Sequence, residues 1–367
     1  MSSNTTLAGR RRPALMIGEF TVKGRALGKG GMGTVYPVED ARGCRYAIKE
    51  FSPTLIRDRK LKARFKQEHE ILSDLKHPNI VRVGKLIEAN HTLNMQMELL
   101  EGLDLKQILR KKKFLEPLLA YAIGSRVASA LGYAHKKGIL HRDIKPENVV
   151  ITITGQVKLT DFGVARLGDG GLTIAGSVVG TPDYISPQQL TGDPRLTPAA
   201  DVFSLGVVLY QILEGKLPFP RMRKASLVQM AESRATKTPR FPARVPDEDV
   251  ARAIMACLDP DASKRPNSTK ELELILLNKE DAMAEKNLAD LVCEIKNRRR
   301  QDSSDPALIS LPTPRARRAV ETSLGMVFVT VVGWVAIGWL LGDGGLTELV
   351  QWFWGLIQAV GWGLVSR

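Results

Sequence analysis

The chain has 367 residues, 44% apolar, 25% charged and 6% aromatic, enough for one large or two ordinary domains with a buried core. That composition excludes a wholly disordered or collagen-like chain; three Cys, at positions 44, 257 and 293, build neither a disulfide framework nor a CxxC metal knuckle, and suit a reducing compartment. The formal net charge is +14, of which about +9 is spread over residues 13–292, and it fits phosphate-rich ligands and anionic lipid heads as well as nucleic acid.

The first 19 residues are polar and basic, with Arg10, Arg11 and Arg12, and hold no apolar core of a secretory leader. From Phe20 to about Leu100, short β-type runs are punctuated by glycine. Gly28-Lys29-Gly30-Gly31-Met32-Gly33 fits GxGxxG, which also opens dinucleotide-binding folds, but there the last Gly leads into a helix. Here Thr34-Val35-Tyr36 continue as strand, and Tyr46-Ala47-Ile48-Lys49 follow as a second one. A glycine hairpin whose N–H groups can approach phosphates, followed by a Lys, is a kinase arrangement. Leu61–Leu75 reads as a helix with Leu61, Phe65, Glu68, Leu72 and Leu75 on one stripe, a carboxylate set among apolar residues. It stops at Lys76-His77-Pro78-Asn79.

Longer helical patterns follow at Leu115–Lys137, Asp201–Glu214, Val250–Leu258 and Thr269–Leu277. A strand pair, Val149–Ile153 and Gln156–Thr160, turns at Thr154-Gly155. The expectation is a β-rich lobe followed by a larger helical one. His141-Arg142-Asp143-Ile144-Lys145-Pro146-Glu147-Asn148 sets an Asp and an Asn five residues apart. Asp143 can accept a hydroxyl proton, and Asn148 can give an oxygen to Mg²⁺. Asp161-Phe162-Gly163 follows, with Asp161 a hard carboxylate for the same ion. His135 and His141 have a spacing that fits no common zinc motif.

Composition changes near residue 278. Residues 278–318 turn to charge, Ser and Pro, read as a helical extension fading into a flexible linker. All five Trp lie in the last 34 residues. Leu324–Gly342 is uncharged for 19 residues, and as a helix it would be about 29 Å long, matching a hydrocarbon core of about 30 Å. Arg315, Arg317 and Arg318 precede it, which keeps residues 1–318 on the cytoplasmic side. Leu349–Val365 returns across the bilayer as a hairpin or lies in the interface on its Trp residues. Gly338 and Gly342 have GxxxG spacing, a hint of a homodimer that chance spacing explains equally well. The basic linker is most simply a tether to the membrane surface.

Residues 20–277, about 70% of the chain, resemble a eukaryotic-type (Hanks-type) Ser/Thr protein kinase, and Leu27–Tyr36 resembles its bacterial membrane-linked members. The resemblance implies an α+β bilobal fold with a β-rich N-lobe (20–100) and a helical C-lobe (101–277), followed by the linker (278–318) and the membrane anchor (319–367). It implies ATP held by the glycine loop, residues Gly28, Lys29, Gly30, Gly31, Met32 and Gly33. Leu27, Val35 and Ala47 would lie above adenine and Val150 below it, with Met97 as gatekeeper and Glu98 to Leu100 as hinge. Lys49 would hold the α- and β-phosphates and pair with Glu68. Asp143 is the implied base, Lys145 the γ-phosphate contact, and Asn148 and Asp161 the ligands of Mg²⁺ or Mn²⁺. Thr181 would support Asp143 and Lys145, and Asp201 would anchor the catalytic loop. A structural role falls to His141.

Thr173 and Ser177 lie between DFG and GTPDY, where phosphorylation would add about −1.5 to −2 charge for Arg142 to grip. One departure stands out: the family closes this segment with Pro-Glu, paired to an Arg, whereas here Ser186-Pro187-Gln188 leaves a neutral amide for Arg265. The resulting expectation is an ATP- and Mg-dependent Ser/Thr protein kinase, activated by autophosphorylation and anchored in the cell (inner) membrane with its catalytic part in the cytoplasm. Its partners would be protein substrates and the lipid bilayer, and not nucleic acid. The rival from another class is a pseudokinase scaffold; a small-molecule kinase is disfavoured by the peptide-binding segment GTPDYISPQQ.

Overall fold

The computed structural model describes residues 15–30, 33–51, 59–89, 91–162, 173–174, 177–178, 182–222, 226–279 and 282–304. Gly31, Met32, Gly163 and Thr181, together with both apolar segments (324–342 and 349–365), lie outside them. Among the described residues no helix is long and apolar enough to cross a membrane. Two compact units divide the chain, residues 1–297 and 298–367. Of the second, residues 298–304 are described, as the end of a helix.

Period-two alternation in the N-terminal strands sorts apolar residues onto two faces of one sheet. The strands are β1 (Met16–Ile17), β2 (Phe20–Val22), β3 (Gly28–Gly30), β4 (Gly33–Glu39), β5 (Arg45–Phe51), β6 (Val83–Ala89) and β7 (Thr92–Glu98). They form an antiparallel sheet in the order β1-β2-β4-β5-β7-β6, with β3 paired to β4. Ile17, Phe20, Val38 and Ile48 fill one face; Ala47, Phe51, Val81, Met95 and Met97 fill the other. Gly33 stands opposite Gly30 at the hairpin end of β3 and β4, with φ +150°, and a Cβ there would run into the Glu50 carbonyl. Between β5 and β6 lies α1 (Arg59–Ser73), the expected stripe helix displaced by two residues. Its Leu72 is buried in the main core, and Phe65 packs against both that core and the sheet.

The second lobe opens with β8 (Gly102–Asp104) and α2 (Leu105–Lys112), whose first turn is capped by the Asp104 carboxylate accepting from the Gln107 amide. Next come α3 (Pro117–Lys136), β9 (Val149–Thr152), β10 (Val157–Leu159) and a two-stranded ribbon of β11 (Thr173–Ile174) and β12 (Ser177–Val178). Helices α4 (Pro187–Leu190), α5 (Ala199–Glu214), α6 (Leu227–Thr236), α7 (Glu248–Cys257), α8 (Thr269–Leu277) and α9 (Ala284–Ser304) complete it. β8, β9 and β10 form a small sheet. It is stitched to the segment after α1 by hydrogen bonds Val81 N–H to Leu159 O (2.9 Å) and Leu159 N–H to Asn79 O (2.8 Å). α5 is buried along nearly its whole length, so the lobe is built around it.

Three helices, α2, α4 and α6, are absent from the sequence expectation. All three are ten residues or fewer, too short for an apolar stripe to repeat over several turns in the sequence. α9 continues the helical extension expected after residue 278, but it is no mere spacer: Leu288, Val292 and Ile295 are part of the main core. Its Glu285 carbonyl sits where a Cβ on Gly155 would be, and that Gly has φ +84°, so only glycine fits this turn. Lys112 of α2 pairs with Glu294 at 3.1 Å. Leu288 is fully buried, so Leu288→Ala is expected to cost about 2–5 kcal/mol of unfolding free energy, read by urea denaturation. A loss below about 0.5 kcal/mol would show that α9 does not hold the core.

Candidate active site

A buried carboxylate organises the loop between α3 and β9. Asp201, at the start of α5, is 1% exposed. Its Oδ1 accepts from the Arg142 amide (2.7 Å), and its Oδ2 accepts from the His141 amide (2.8 Å) and from His135 Nε2 (2.9 Å). Burial opposes its charge, but the His135 hydrogen bond and its cationic and amide neighbours win, and its pKa falls below the ordinary value. Both histidines are thus engaged inside the protein. His141 Nδ1 accepts from the Asp143 amide (3.3 Å), which leaves Nε2 to donate to the Thr160 carbonyl (2.9 Å). The clamp also holds Arg142 in the left-handed region, φ 62°, a conformation costing about 1–3 kcal/mol for such a side chain.

That loop delivers three polar groups to one place. Lys145 Nζ donates to Asp143 Oδ2 at 2.7 Å, and Asn148 Nδ2 donates to the Asp143 carbonyl (2.7 Å) and to Oδ2 (3.1 Å). The amide nitrogen of Asn148 is thereby used, and its amide oxygen is left as an acceptor. Thr160 N–H donates to the Asn148 carbonyl (2.9 Å), which brings the next residue, Asp161, up to that loop. Asp161 itself is left-handed, φ 56°. Its Oδ1 accepts from Lys49 Nζ at 2.7 Å, across from β5. Burial works against this carboxylate too, and Lys49 more than offsets it, holding the pKa below the usual range. Two hard oxygens, one anionic and one amide, beside an ammonium make a donor set that fits a small divalent cation with phosphate.

The expected pairing of Lys49 with Glu68 is not what the structure contains. Lys49 pairs with Asp161, and Glu68 has no hydrogen bond or ion pair among the described residues. Glu68 sits on the apolar stripe of α1 with Leu72 and Phe65, and burial pushes its pKa up to about 8, against the pull of Arg142. A mostly neutral carboxyl there gives an ammonium little reason to leave the ionised Asp161.

Of the other expected nucleotide contacts, Ala47 is opposite Met97 in the β5–β7 register; both are buried and Val35 packs on the same cluster. Met97, Leu72, Leu75, Val83 and Phe162 line a small apolar cavity at the back of the cleft with Asp161. The Phe162 ring lies tilted against His141, centroids 4.5 Å apart. Leu100 packs against the sheet cluster, Val150 is half-buried in β9, and Leu27, Gly28, Lys29 and Gly30 are exposed at the tip. Glu98 has a partner missed in the sequence: its carboxylate accepts from Lys158 Nζ (2.9 Å) and from the Arg82 amide (2.9 Å), tying the interlobe strand to β10. Lys158 lies three residues before Asp161 and carries no motif of its own.

The protein kinase domain family matches the chain over residues 21–274. The chain belongs to the protein kinase family. Among curated relatives, the Ser/Thr-protein kinase PkaA of Streptomyces coelicolor is 36% identical over 258 residues, 66% of this chain and 47% of that protein. PrkC of Bacillus subtilis is 34% identical over 252 residues, 68% of this chain and 39% of the other. The chain thus spans about half or less of the length of these relatives. Among solved structures, the kinase domain of Mycobacterium tuberculosis PknI superposes with TM-score 0.57 and 27% identity, covering 73% of this chain and 99% of that one. The bilobal kinase fold is therefore common to both.

In this kinase the departure at Gln188 has a defined geometry. Its Oε1 accepts from Arg265 Nη2 (2.9 Å), and its Nε2 donates to the Pro260 carbonyl (2.9 Å). Arg265 is buried and also donates to the Ala199 and Asp259 carbonyls, with its guanidinium 4.8 Å from the Phe203 ring centroid. Burial lowers its pKa to about 10, against the pull of Asp259. Thr173 and Ser177 fall on the β11–β12 ribbon, in register with Val178 and Ile174, and their side chains lie outside the described residues.

Gln188→Glu puts a carboxylate against this buried cation and gives up the Pro260 contact. A charge-assisted bond is worth about 1.5–3 kcal/mol against about 0.5–1.5 for a neutral one, so the variant is expected to melt higher at neutral pH. The gain is lost on acidification as the new carboxyl protonates; an unchanged or lower melting temperature at pH 7 contradicts it. Glu68 gives the opposite pH signature. Its folded pKa, about 8, is above the unfolded value of 4.5, so its contribution is fully present below 4.5 and is lost as pH rises through 8. Glu68→Gln is therefore expected to gain in melting temperature relative to wild type between pH 5 and 8 and to hold that gain above pH 9. A difference that does not vary with pH would show an ordinary, solvated Glu68.

Proposed function

We propose that the protein is an ATP-dependent Ser/Thr protein kinase that uses Mg²⁺ or Mn²⁺, with residues 20–277 as its catalytic domain. What carries the reading is the convergence of Lys49, Asp143, Lys145, Asn148 and Asp161, from both lobes: Lys49 bonds to Asp161, Lys145 and Asn148 bond to Asp143, and the Thr160 amide joins the two groups by donating to the Asn148 carbonyl. Asp161 and the amide oxygen of Asn148 are the groups that would hold the cation, which when bound supplies countercharge to the phosphates. Lys49 binds the α- and β-phosphates from the opposite side. Asp143 orients the substrate hydroxyl and takes its proton as the new P–O bond forms and the γ-phosphorus separates from the β–γ bridging oxygen, which leaves with ADP, while Lys145 steadies the transferred γ-phosphoryl oxygens. The transition state is loose and charge-rich, so positioning does most of the work, and turnover of about 1–100 s⁻¹ is expected once the site is assembled. Lys145, in the Ser/Thr form of the loop, favours hydroxyls of Ser and Thr.

Glycine-loop residues Gly28 to Gly33 and the Leu27, Val35, Ala47, Met97, Glu98, Leu100 and Val150 set are assigned to ATP, and Thr181 to support of Asp143 and Lys145. Thr173 and Ser177 are assigned as autophosphorylation sites. A pseudokinase scaffold has little support, because every group the transfer needs is retained. The 19 uncharged residues at 324–342, with arginines on their N-terminal side, support an anchor in the inner membrane with the kinase domain in the cytoplasm. Leu349–Val365 is assigned as a second spanning or interfacial helix, and the Gly338–Gly342 spacing as a contact between two copies.

One experiment reads both halves of this proposal. Membrane and soluble fractions from cells making wild type, Asp143→Asn or a chain ended at residue 318 are given radiolabelled ATP and myelin basic protein. Wild-type activity is expected in membranes, the shortened chain's activity in the soluble fraction, and at least about a hundredfold loss, the lower end of the range for an acid–base group, in Asp143→Asn. Equal incorporation by wild type and Asp143→Asn would overturn the catalytic assignment; soluble wild type would overturn the anchor.

A further inference from the structure

α6 carries a buried cation that the phosphoryl-transfer site does not use. Arg234 is 5% exposed, and its two terminal nitrogens donate to the carbonyls of Ile185 and Pro182. Those two carbonyls bracket the short turn Pro182–Tyr184. The guanidinium lies over two aromatic rings, 6.0 Å from the Phe203 centroid and 5.9 Å from that of Phe219. Among the described residues no carboxylate forms an ion pair with it, since the nearby Asp183 pairs with Arg221 at 3.3 Å. Burial lowers its pKa to about 10, opposed by Asp183.

Burying a cation without an anion is costly unless its hydrogen bonds are met and its charge is spread. Arg meets both conditions here. Its planar fork spans two carbonyls at once, and its weakly hydrated face rests on ring π-density. A Lys has one point of charge and cannot bridge both acceptors as a rigid fork.

The rest of this segment is tethered by other means. Tyr184 Oη donates to Gln211 Oε1 of α5 at 2.8 Å, and Ile185 and Leu190 pack against Met230 and Ala231 of α6. Gln189 caps the turn of α4 and donates to the Arg142 carbonyl (2.9 Å), so the segment is coupled to the loop bearing Asp143. Arg234 is the polar tie between α6 and the backbone that follows Thr181.

We infer that Arg234 is a positioning residue for protein substrate: by holding the 182–185 backbone against α6, it shapes the surface on which the peptide beside the acceptor hydroxyl lies. The inference rests on the kinase reading above, under which GTPDYISPQQ, the segment that the family resemblance gives to peptide binding, is where protein substrate lies. The Arg234 partners Pro182, Ile185, Phe203 and Phe219 include none of the residues assigned to ATP, so its effect falls on the protein substrate.

The test is steady-state kinetics with myelin basic protein, alongside titration with a fluorescent ADP analogue and hydrogen exchange of residues 182–190, on the full chain. For Arg234→Met, KM for the protein substrate is expected to rise about tenfold or more, with nucleotide affinity within about twofold of wild type and exchange raised in 182–190. Arg234→Lys is expected to give a smaller rise. An unchanged KM with lower kcat, or unchanged exchange in 182–190, would overturn the inference and leave Arg234 as a packing residue only. If Arg234→Met does not fold, Arg234→Lys decides on the same readouts: a raised KM supports the inference and an unchanged one overturns it. Wild type without any protein phosphorylation would overturn the kinase reading, while exchange in 182–190 would still judge the tie itself.

Discussion

A carboxylate taken out of water must have nearly every lone pair answered, and Asp201 is such a group. It accepts from two consecutive backbone amides and one imidazole, and in doing so dictates the path of the chain at His141 and Arg142. The left-handed turn at Arg142 is held by that clamp, and the residues after it follow from the turn. Asp143 is aimed toward Lys145 and Asn148, and His141 is locked in one tautomer against Thr160. The most buried charged side chain among the described residues is thus a scaffold for the loop that carries Asp143. Its own support is α5, whose nearly continuous burial makes the anchor stiff.

The other side of the cleft is balanced differently. Lys49 has two candidate anions, and it takes the one that is ionised. Asp161 is charged and left-handed, while Glu68 sits among the apolar side chains of α1 with a pKa near 8. An approach of Lys49 to Glu68 must therefore ionise a group that prefers to be neutral near pH 7. The two events are linked: whatever brings the ammonium closer stabilises the carboxylate, and whatever removes the proton favours that approach.

Below the cleft, two buried guanidiniums share the Phe203 ring. Arg265 bonds to Gln188, and Arg234 to the carbonyls of Pro182 and Ile185. Neither faces a carboxylate in a direct pair among the described residues. Both use backbone carbonyls and aromatic faces in its place, the solution that Arg's geometry permits and Lys's does not. The segment 182–190 is consequently held by many directed bonds of moderate strength, and its shape is sensitive to α6.

Much of this architecture is legible in the residue order. The GKGGMG hairpin, the HRDIKPEN loop, DFG and the helices at 201–214 and 269–277 are set by local chemistry: glycine conformations, apolar period and short-range spacing. Asp143, Lys145 and Asn148 are close in sequence, so their meeting needs only one loop. What the tertiary structure alone decides are contacts between distant stretches. Lys49 pairs with Asp161 over a separation of 112 residues, and no local pattern encodes which distant carboxylate the fold brings to it. Lys158 answers Glu98, Arg234 answers Pro182 and Ile185, and α9 fills the core with Leu288, Val292 and Ile295, each for the same reason. Sequence spacing carries the periodicity of one element, whereas desolvation and hydrogen-bond satisfaction depend on which elements the fold brings together.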